Sequence, residues 1–197
     1  MMELPEYINL PEYFDHYDNA FKIVEAPGGG LRGYVLARWT GEFRVANSLL
    51  RKVLFGMGED ISPASEAEFV ELTEESRSHY LRGEGPIFAI YKTIDDWFDQ
   101  RDSLDKAMWR SKRDFISELR RRTFVMWEEE FARQAAGEPP SFEYRSIAGP
   151  IEEQKARQHV DPTPDLSEAE AAEWFRELGR MRANFDRAWN ASNPGSS

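Results

Sequence analysis

A glycine-rich stretch carries the first residues whose spacing could support chemistry. Gly28, Gly30 and Gly33 form a Gly-x-Gly-x-x-Gly pattern directly after a predicted strand. In dinucleotide-binding proteins this pattern holds a phosphate at the N-terminus of the helix that follows it. Here residues 34–37, Tyr-Val-Leu-Ala, favour a second strand instead of a helix. The pattern therefore predicts a hairpin turn, with phosphate contact as the alternative.

Arginines close to this turn could bind an anion. Segment 31–55 has five basic residues and one acidic residue, within a chain whose net charge is −11. Arginine binds phosphate through two parallel hydrogen bonds, so a phosphate-bearing ligand would bind at this segment. The predicted ligand-binding residues are Gly28, Gly30, Arg32, Tyr34, Arg38 and Arg44.

Histidine and carboxylate spacing does not predict a metal site. The three histidines, His16, His79 and His159, are widely separated, and no Glu-x-x-His pair of the kind that binds metals in helical bundles occurs. Two acidic rows fall on predicted helices: Glu66, Glu68, Glu71, Glu74 and Glu75, and Asp95, Asp96, Asp99 and Asp102. We expect no metal and no cofactor. The aspartate row is expected on a solvated face, and an acidic nucleic-acid mimic is the alternative that both rows suggest.

Three consecutive arginines, Arg120, Arg121 and Arg122, fall in the middle of a predicted long helix. Successive residues of a helix point in different directions, so at least one of these side chains should contact protein. We expect pairing with the acidic helix that is predicted between residues 56 and 80. The alternative is an anion-binding or partner-binding patch.

A C-terminal helix is the candidate for binding a protein partner. Ser167 and Glu170 form a capping box, which predicts the start of a helix. Apolar residues then follow at alternating spacings of four and three, as in a coiled-coil seam. The predicted partner-binding residues are Trp174, Leu178, Met181, Phe185 and Trp189.

The elements that would position these residues are mostly helical. A β-hairpin is predicted over residues 20–39, and helices over 42–55, after Ser65, after Pro86, over 105–136 and after Ser167. The predicted fold class is mainly α (α+β), a bundle of about five helices with one N-terminal β-hairpin. The apolar stripe of the longest helix is predicted at Met108, Phe115, Leu119 and Met126. The tryptophans expected in the core or at an interface are Trp97, Trp109, Trp127, Trp174 and Trp189.

Composition along the chain predicts three segments. Residues 1–136 are expected to hold the hairpin and the helical core. Residues 137–165 are rich in proline and glycine and are predicted to be a linker. Residues 166–191 are predicted to form the C-terminal docking helix of the same domain.

Length and composition exclude several classes of protein. With 197 residues, 41% of them apolar, the chain can bury a core, and its zero cysteines exclude a disulfide scaffold and a thiolate zinc site. The net charge of −11 disfavours direct nucleic-acid binding. No apolar run approaches the roughly 20 residues of a membrane helix, and no signal-peptide pattern is present. We expect no membrane association and a cytoplasmic location.

No motif in the sequence names a reaction, so whether the chain is an enzyme stays open. The proline-rich N-terminus, the linker and the terminal helix favour an intracellular protein–protein interaction or assembly/accessory protein without catalytic activity. We expect a protein partner or a homo-oligomer. The alternative is a small-ligand-binding protein or an enzyme that acts on a phosphate-bearing substrate through segment 28–52. The second alternative is the acidic nucleic-acid mimic.

Overall fold

A computed structural model describes residues 10–54, 61–101, 104–174 and 176 of the chain. These residues build an α+β fold around a five-stranded antiparallel sheet. The strands of the sheet are β1 (Glu12–His16), β2 (Ala20–Glu25), β3 (Leu31–Ala37), β4 (Glu42–Val45) and β5 (Ile61–Ala64). They lie side by side in the order β4-β3-β2-β1-β5.

The predicted fold class, a mainly α bundle of about five helices with one hairpin, is wrong. The predicted hairpin exists as β2 and β3, but β1, β4 and β5 extend it into a full sheet. Each of these three added strands has only four or five residues. Apolar–polar alternation over so few residues cannot be distinguished from a helical pattern, so these strands were not predicted.

Two of the missed strands lie where the sequence suggested helix signals. Glu42–Val45 pairs with β3, and the helix that was predicted from residue 42 begins only at Asn47. The spacing of Phe43 and Ala46 suits a helix, but it suits a short strand and a following turn equally well. Strand β5 contains Pro63 and ends directly before Ser65, after which a helix was predicted. An edge strand tolerates proline because its outward N–H has no strand partner.

Helices make up most of the remaining structure. They are α1 (Asn47–Leu54), α2 (Glu66–Tyr80), α3 (Pro86–Asp99), α4 (Lys106–Ala135) and α5 (Pro150–Gln158). A further helix begins at residue 168 and is described to residue 174. Three predicted starts are confirmed: Ser65 and Glu68 form the capping box of α2, Pro86 is the first residue of α3, and Ser167 and Glu170 cap the last helix.

Alternation along the strands gives the sheet two apolar faces. On one face, Phe21 and Ile23 are fully buried and pack with residues of α1 and of helix 168–174. On the other face, Ala20 and Leu36 pack with Phe69 of α2. The sheet is therefore covered by helices on both sides, with α2 separating it from the helices farther out.

Helix α4 lies parallel to α2. Glu71 of α2 accepts a hydrogen bond from Ser117, and Arg77, farther along α2, donates to Glu128, farther along α4. The residue that comes later in α2 contacts the residue that comes later in α4, so the two helices run in the same direction.

Helix α3 lies antiparallel beside α4. Trp127, in the second half of α4, donates to Tyr91 near the middle of α3. Trp97, near the end of α3, contacts Phe115 in the first half of α4. The end of α3 and the start of α4 therefore lie together at one end of this helix pair.

Residues 137–165, which were predicted to be a linker, contain two short elements. Strand β7 (Tyr144–Ser146) pairs with β6 (Leu81–Gly83), and α5 follows β7. Leu166 then forms two backbone hydrogen bonds with Leu31 of β3. The division into segments 1–136, 137–165 and 166–191 stays a prediction.

Candidate functional site

The glycine pattern lies in the turn between β2 and β3, which confirms the predicted hairpin turn. Gly29 and Gly30 each have a φ of 82°, in the region that favours glycine. A Cβ atom at Gly30 would overlap the carbonyl oxygen of Leu166, because the chain passes against the turn at this point. This side of the turn is therefore in contact with the protein's own backbone.

Gly30→Ala is expected to destabilise the fold by more than about 2 kcal/mol. The left-handed backbone alone costs alanine about 1–2 kcal/mol, and the overlap with Leu166 adds to that cost. Gly28→Ala is the matched control, because Gly28 has an ordinary φ and open space around it. Urea unfolding of both variants measures the difference. Equal stabilities would mean that Leu166 does not lie against the turn in solution.

Arg32, a predicted ligand-binding residue, joins β3 to the segment before Leu166. Its Nε and Nη2 atoms lie 2.8 Å and 2.6 Å from the two carboxylate oxygens of Asp165. The hydroxyl of Tyr34 lies 3.5 Å from Nη1 of the same guanidinium. Hydrogen bonding from Arg32 lowers the pKa of Asp165 below its ordinary value. Asp165 therefore accepts the two parallel hydrogen bonds that Arg32 would otherwise donate to a phosphate.

The other two predicted arginines also bind within the chain. Arg38 donates to the backbone carbonyls of Tyr17 and Asp18, and Arg44 pairs with Glu42. A phosphate-bearing ligand would have to displace these internal acceptors. The ligand-binding role of Gly28, Gly30, Arg32, Tyr34, Arg38 and Arg44 stays a prediction.

Trp174, the first of the predicted partner-binding residues, is only 4% exposed. It packs in the apolar cluster that contains Phe21, Leu31 and Leu50, on one face of the sheet. The other predicted partner-binding residues, Leu178, Met181, Phe185 and Trp189, lie outside the described residues. The partner-binding role of this helix stays a prediction.

The expected pairing of the arginine triplet is confirmed for Arg120. This residue forms ion pairs with Glu71 and Glu75 of α2, the second with an N–O distance of 3.0 Å. A third acid of the same row, Glu74, is fully buried. The row is therefore not a wholly solvated face, and much of its charge is neutralised within the chain. The nucleic-acid mimic stays a prediction.

A buried ion pair joins Glu74 and Arg77, both of which are fully buried. The Nη1 atom of Arg77 lies 3.0 Å from a carboxylate oxygen of Glu74. Its Nε and Nη2 atoms donate to the carbonyl of Gly41 at 2.9 Å and to Glu128 at 2.6 Å. Four aromatic rings lie 5.4–5.8 Å from the guanidinium carbon: Phe43, Phe124, Trp127 and Phe131.

Hydroxyl groups complete this network on the other side of Glu74. Its second oxygen accepts hydrogen bonds from Tyr91 and Thr123, and Tyr91 accepts one from Trp127. Burial raises the pKa of Glu74, while Arg77 and the two hydroxyls oppose that rise. Burial, and then the charge of Glu74, also raises the pKa of Tyr91, which therefore stays a donor. Every nitrogen of Arg77 has a protein acceptor, so we assign this network a structural role.

The shared end of α3 and α4 exposes large apolar side chains. We call this surface the aromatic tip, and it consists of Trp97, Phe98, Met108, Trp109 and Phe115. Ring contacts join the two helices here, with centroid distances of 5.5 Å for Trp97–Phe115 and 5.4 Å for Phe98–Trp109. Phe98, Met108 and Phe115 nevertheless remain 40%, 50% and 53% exposed. Three of the exposed large apolar side chains of the described residues therefore lie together at the aromatic tip, which makes it a candidate binding surface.

For Met108 and Phe115 the predicted apolar stripe of α4 is wrong, because both residues lie at the tip and are about half exposed. The buried stripe of α4 runs instead through Ile116, Thr123 and Trp127. Met108 and Phe115 lie on a neighbouring face of the same helix. The buried stripe contains threonine and charged residues. A prediction from hydropathy therefore selected the more apolar stripe, which lies at the surface.

Helix α2 is too short to cover the first turns of α4. Its Glu71 lies beside Ser117 of α4, and α2 begins five residues earlier, at Glu66. Parallel helices advance equally per residue, so the start of α2 lies near residue 112 of α4. Helix α4 begins at Lys106, so its first turns, which include Met108, extend beyond the start of α2.

A shallow groove along β6 and β7 is a weaker candidate. Its two halves have volumes of about 440 and 450 Å³ and share Arg82 and Arg145, which pair directly across the strands. Glu84, Glu143 and Glu153 also line the groove. The mixed charge favours neither an anion nor a cation, so we assign no ligand class to it.

The chain matches no known protein family, no curated protein and no solved structure. Within the described part of the chain, no group of three or more acidic or histidine side chains is placed to hold a metal ion. None of the helices described is long and apolar enough to cross a membrane.

Residues of the aromatic tip were predicted to be buried or at an interface, but their grouping into one exposed surface was not predicted. Trp97 and Trp109 were expected in the core or at an interface, and both are half-buried at the tip. A usable signal was present in α4. Its first half carries two neighbouring apolar stripes, one at residues 108 and 115 and the other at residues 109 and 116. One neighbouring helix cannot cover both stripes, so one of them was to be expected at the surface.

Proposed function

We propose that this chain is an intracellular protein that acts by binding another protein chain, and that the aromatic tip is the binding surface. The observation that carries the proposal is the exposure of Phe98, Met108 and Phe115 at the end of two packed helices. Aromatic residues and methionine are enriched at protein interfaces. Clusters of exposed apolar side chains commonly mark sites where proteins interact.

The helices that carry the tip are firmly anchored at their other end. Trp127 is fully buried between α4 and α3, and Arg77 joins α2 to α4 through Glu128. A surface that is already ordered loses little conformational entropy when a partner binds. This favours a binding role for the tip.

Photo-crosslinking in the natural host tests the proposal. p-Benzoylphenylalanine in place of Phe115 is expected to yield a crosslinked product that contains a second polypeptide, because a partner at the tip would cover this exposed ring. Gln154 on α5 is an exposed position away from the tip and is the matched control site. Mass spectrometry of the product identifies the partner.

A charged substitution in the aromatic tip tests whether the crosslink from position 115 reports a specific interface or a random collision. Met108→Glu alters a half-exposed side chain and leaves the buried stripe of α4 intact. It is expected to remove the product formed from position 115, because an interface centre does not accommodate an unpaired charge. A product from position 115 no stronger than that from position 154, or one unaffected by M108E, would contradict the proposal.

A further inference from the structure

Lys22 lies on the face of the sheet that packs with α2, in a row of side chains that is only partly covered. Strand alternation places it on the same face as Ala20, and its direct partners across the sheet are Tyr13 on β1 and Tyr34 on β3. The Cβ atoms of such directly paired residues lie about 4.5–5.5 Å apart. Lys22 and both tyrosines are half-buried, so a small molecule can reach this part of the sheet.

The ammonium group of Lys22 lies on aromatic rings instead of pairing with an acid. Its Nζ atom is 4.2 Å from the ring centroid of Phe43 and 5.9 Å from that of Phe69. Among the residues that the structure describes, it has no hydrogen-bond acceptor and no ion-pair partner. Ring faces attract a cation, but they do not replace the hydrogen bonds that an ammonium group gives up with its water. This position therefore favours the neutral amine.

The charged groups near Lys22 do not restore the missing partner. The guanidinium carbon of Arg77 lies 5.8 Å from the centroid of the same Phe43 ring, so two cations share this ring. Glu128 attracts Lys22, but it accepts a hydrogen bond from Arg77 at 2.6 Å and forms no ion pair with Lys22. Burial, followed in the same direction by Arg77, lowers the pKa of Lys22, and Glu128 only opposes this change. A lysine that is desolvated and lies near another cation is an activated nucleophile.

Lys92 on α3 has the opposite surroundings and is the internal comparison. Its side chain is exposed, and its Nζ atom lies 2.7 Å from a carboxylate oxygen of Asp96. Hydrogen bonding and charge from Asp96 raise the pKa of this amine, and the charges of Asp95 and Asp99 add to the rise. A protonated amine has no lone pair with which to attack. Exposure alone would make Lys92 the more reactive of the two lysines, whereas protonation state makes it Lys22.

We infer that Lys22 is a covalent modification site, at which the amine condenses with the carbonyl group of a small aldehyde. The lone pair of Nζ forms a bond to the carbonyl carbon, while one amine proton moves to the carbonyl oxygen. The resulting hydroxyl group then leaves with the second amine proton as water, and a carbon–nitrogen double bond forms. One amine and one aldehyde thus give one imine and one water molecule, with no oxidant or reductant.

The surroundings of Nζ favour an aldehyde with an uncharged, apolar body. The rings of Tyr34 and Phe43 lie beside the amine and provide apolar contact area. Arg77 and Glu128 pair with each other, so neither attracts a charged ligand strongly. The inference is independent of the proposed function, because Lys22 belongs to β2 and the aromatic tip belongs to α3 and α4.

Reductive labelling of the full-length chain with benzaldehyde tests this inference. Sodium cyanoborohydride reduces each imine to a stable benzylamine, and mass spectrometry of the digested protein gives the labelling rate at each lysine. At neutral pH, Lys22 is expected to be labelled at least about tenfold faster than Lys92, because each unit of difference in pKa changes the neutral fraction about tenfold. A rate at Lys22 equal to or below that at the more exposed Lys92 overturns the inference.

Two controls show whether the fold creates this reactivity. In urea, Lys22 and Lys92 are expected to be labelled at similar rates, and a preference for Lys22 that persists there would overturn the inference. Tyr34→Glu places a carboxylate directly across the sheet from Lys22 and is expected to slow its labelling at least about fivefold, because a nearby negative charge keeps the amine protonated. Tyr34→Gln has the same shape without the charge and is the matched control. Equal rates at Lys22 in these two variants, both shown to be folded by circular dichroism melting, would also overturn it.

Discussion

Replacing Trp127 with alanine is expected to lower the free energy of unfolding by about 3–5 kcal/mol. The indole is fully buried and lies on Phe131, with the ring centroids 5.2 Å apart. Phe142 and Tyr144 contact it at 5.3 Å and 4.9 Å. Alanine removes these contacts and leaves a cavity at the point where α3, α4 and β7 meet. Urea unfolding followed by circular dichroism measures the loss.

Two further variants show which part of Trp127 matters. Trp127→Phe keeps an aromatic ring but removes the Nε1 donor to Tyr91, so a smaller loss of about 1–2 kcal/mol is expected. Phe115→Ala at the aromatic tip is expected to cost less than about 1 kcal/mol, because half of that ring already contacts water. A loss for Trp127→Ala no larger than for Phe115→Ala would place Trp127 outside the core.

Arg77→Met is expected to destabilise the fold by about 3–5 kcal/mol, because it leaves Glu74 buried without its cation. Methionine roughly keeps the apolar volume, so the loss measures the charge more than the packing. Arg121→Met is the matched control: Arg121 pairs with Glu118 at the surface, and such a pair contributes at most about 1 kcal/mol. Urea unfolding of both variants gives the comparison.

The Arg77→Met variant is also expected to gain stability as the pH falls. Burial raises the pKa of Glu74, and removing Arg77 takes away a charge that opposes this rise. A carboxyl whose pKa is higher in the folded state than in the unfolded state keeps its proton on folding. Stability therefore falls as the pH rises past the ordinary carboxyl value of about 4.3 and improves on acidification.

Glu74→Gln in the Arg77→Met background removes the buried charge, and it is expected to recover much of the lost stability and to flatten the pH dependence. Replacing both members of a buried pair is commonly far less harmful than removing one. If Arg77→Met were no less stable than the Arg121→Met control, or if its stability did not change with pH, the buried ion pair would not exist in solution.

Local signals in the sequence predicted the starts of four of the six helices described, but not those of α1 and α5. The capping box at Ser65 and Glu68, Pro86 at a first helical position, and the capping box at Ser167 and Glu170 each mark an observed start. The long helix, predicted over 105–136, is observed at Lys106–Ala135. These signals are readable because the groups that interact are at most four residues apart.

The edges of the sheet could not be predicted in the same way. β1 and β5 are separated by more than forty residues of sequence, and their short apolar pattern becomes a strand only when the partner is beside it. Likewise, β4 becomes a strand because β3 offers hydrogen bonds to Glu42–Val45. A stretch of four residues carries too little periodicity to show this by itself.

The candidate site shows the same limit. The sequence identified the apolar stripe of Met108 and Phe115, but it could not show that the stripe lies on the surface. That outcome depends on the side of α4 that α2 and α3 occupy and, at Met108, also on the start of α2 only near residue 112 of α4. Burial of Glu74 and Arg77 was equally hidden, because their partners Tyr91, Thr123 and Glu128 come from other helices.

The sequence by itself determined the cysteine-free composition, the net charge of −11, the central hairpin and the positions where most helices begin. All of these follow from residue counts or from interactions between near neighbours in the chain. Only the tertiary structure decided which stripe of α4 is buried, which charges are paired and which strands complete the sheet. Each of these depends on contacts between segments far apart in sequence, and the free energy of such contacts is set by what the folded chain places opposite each residue.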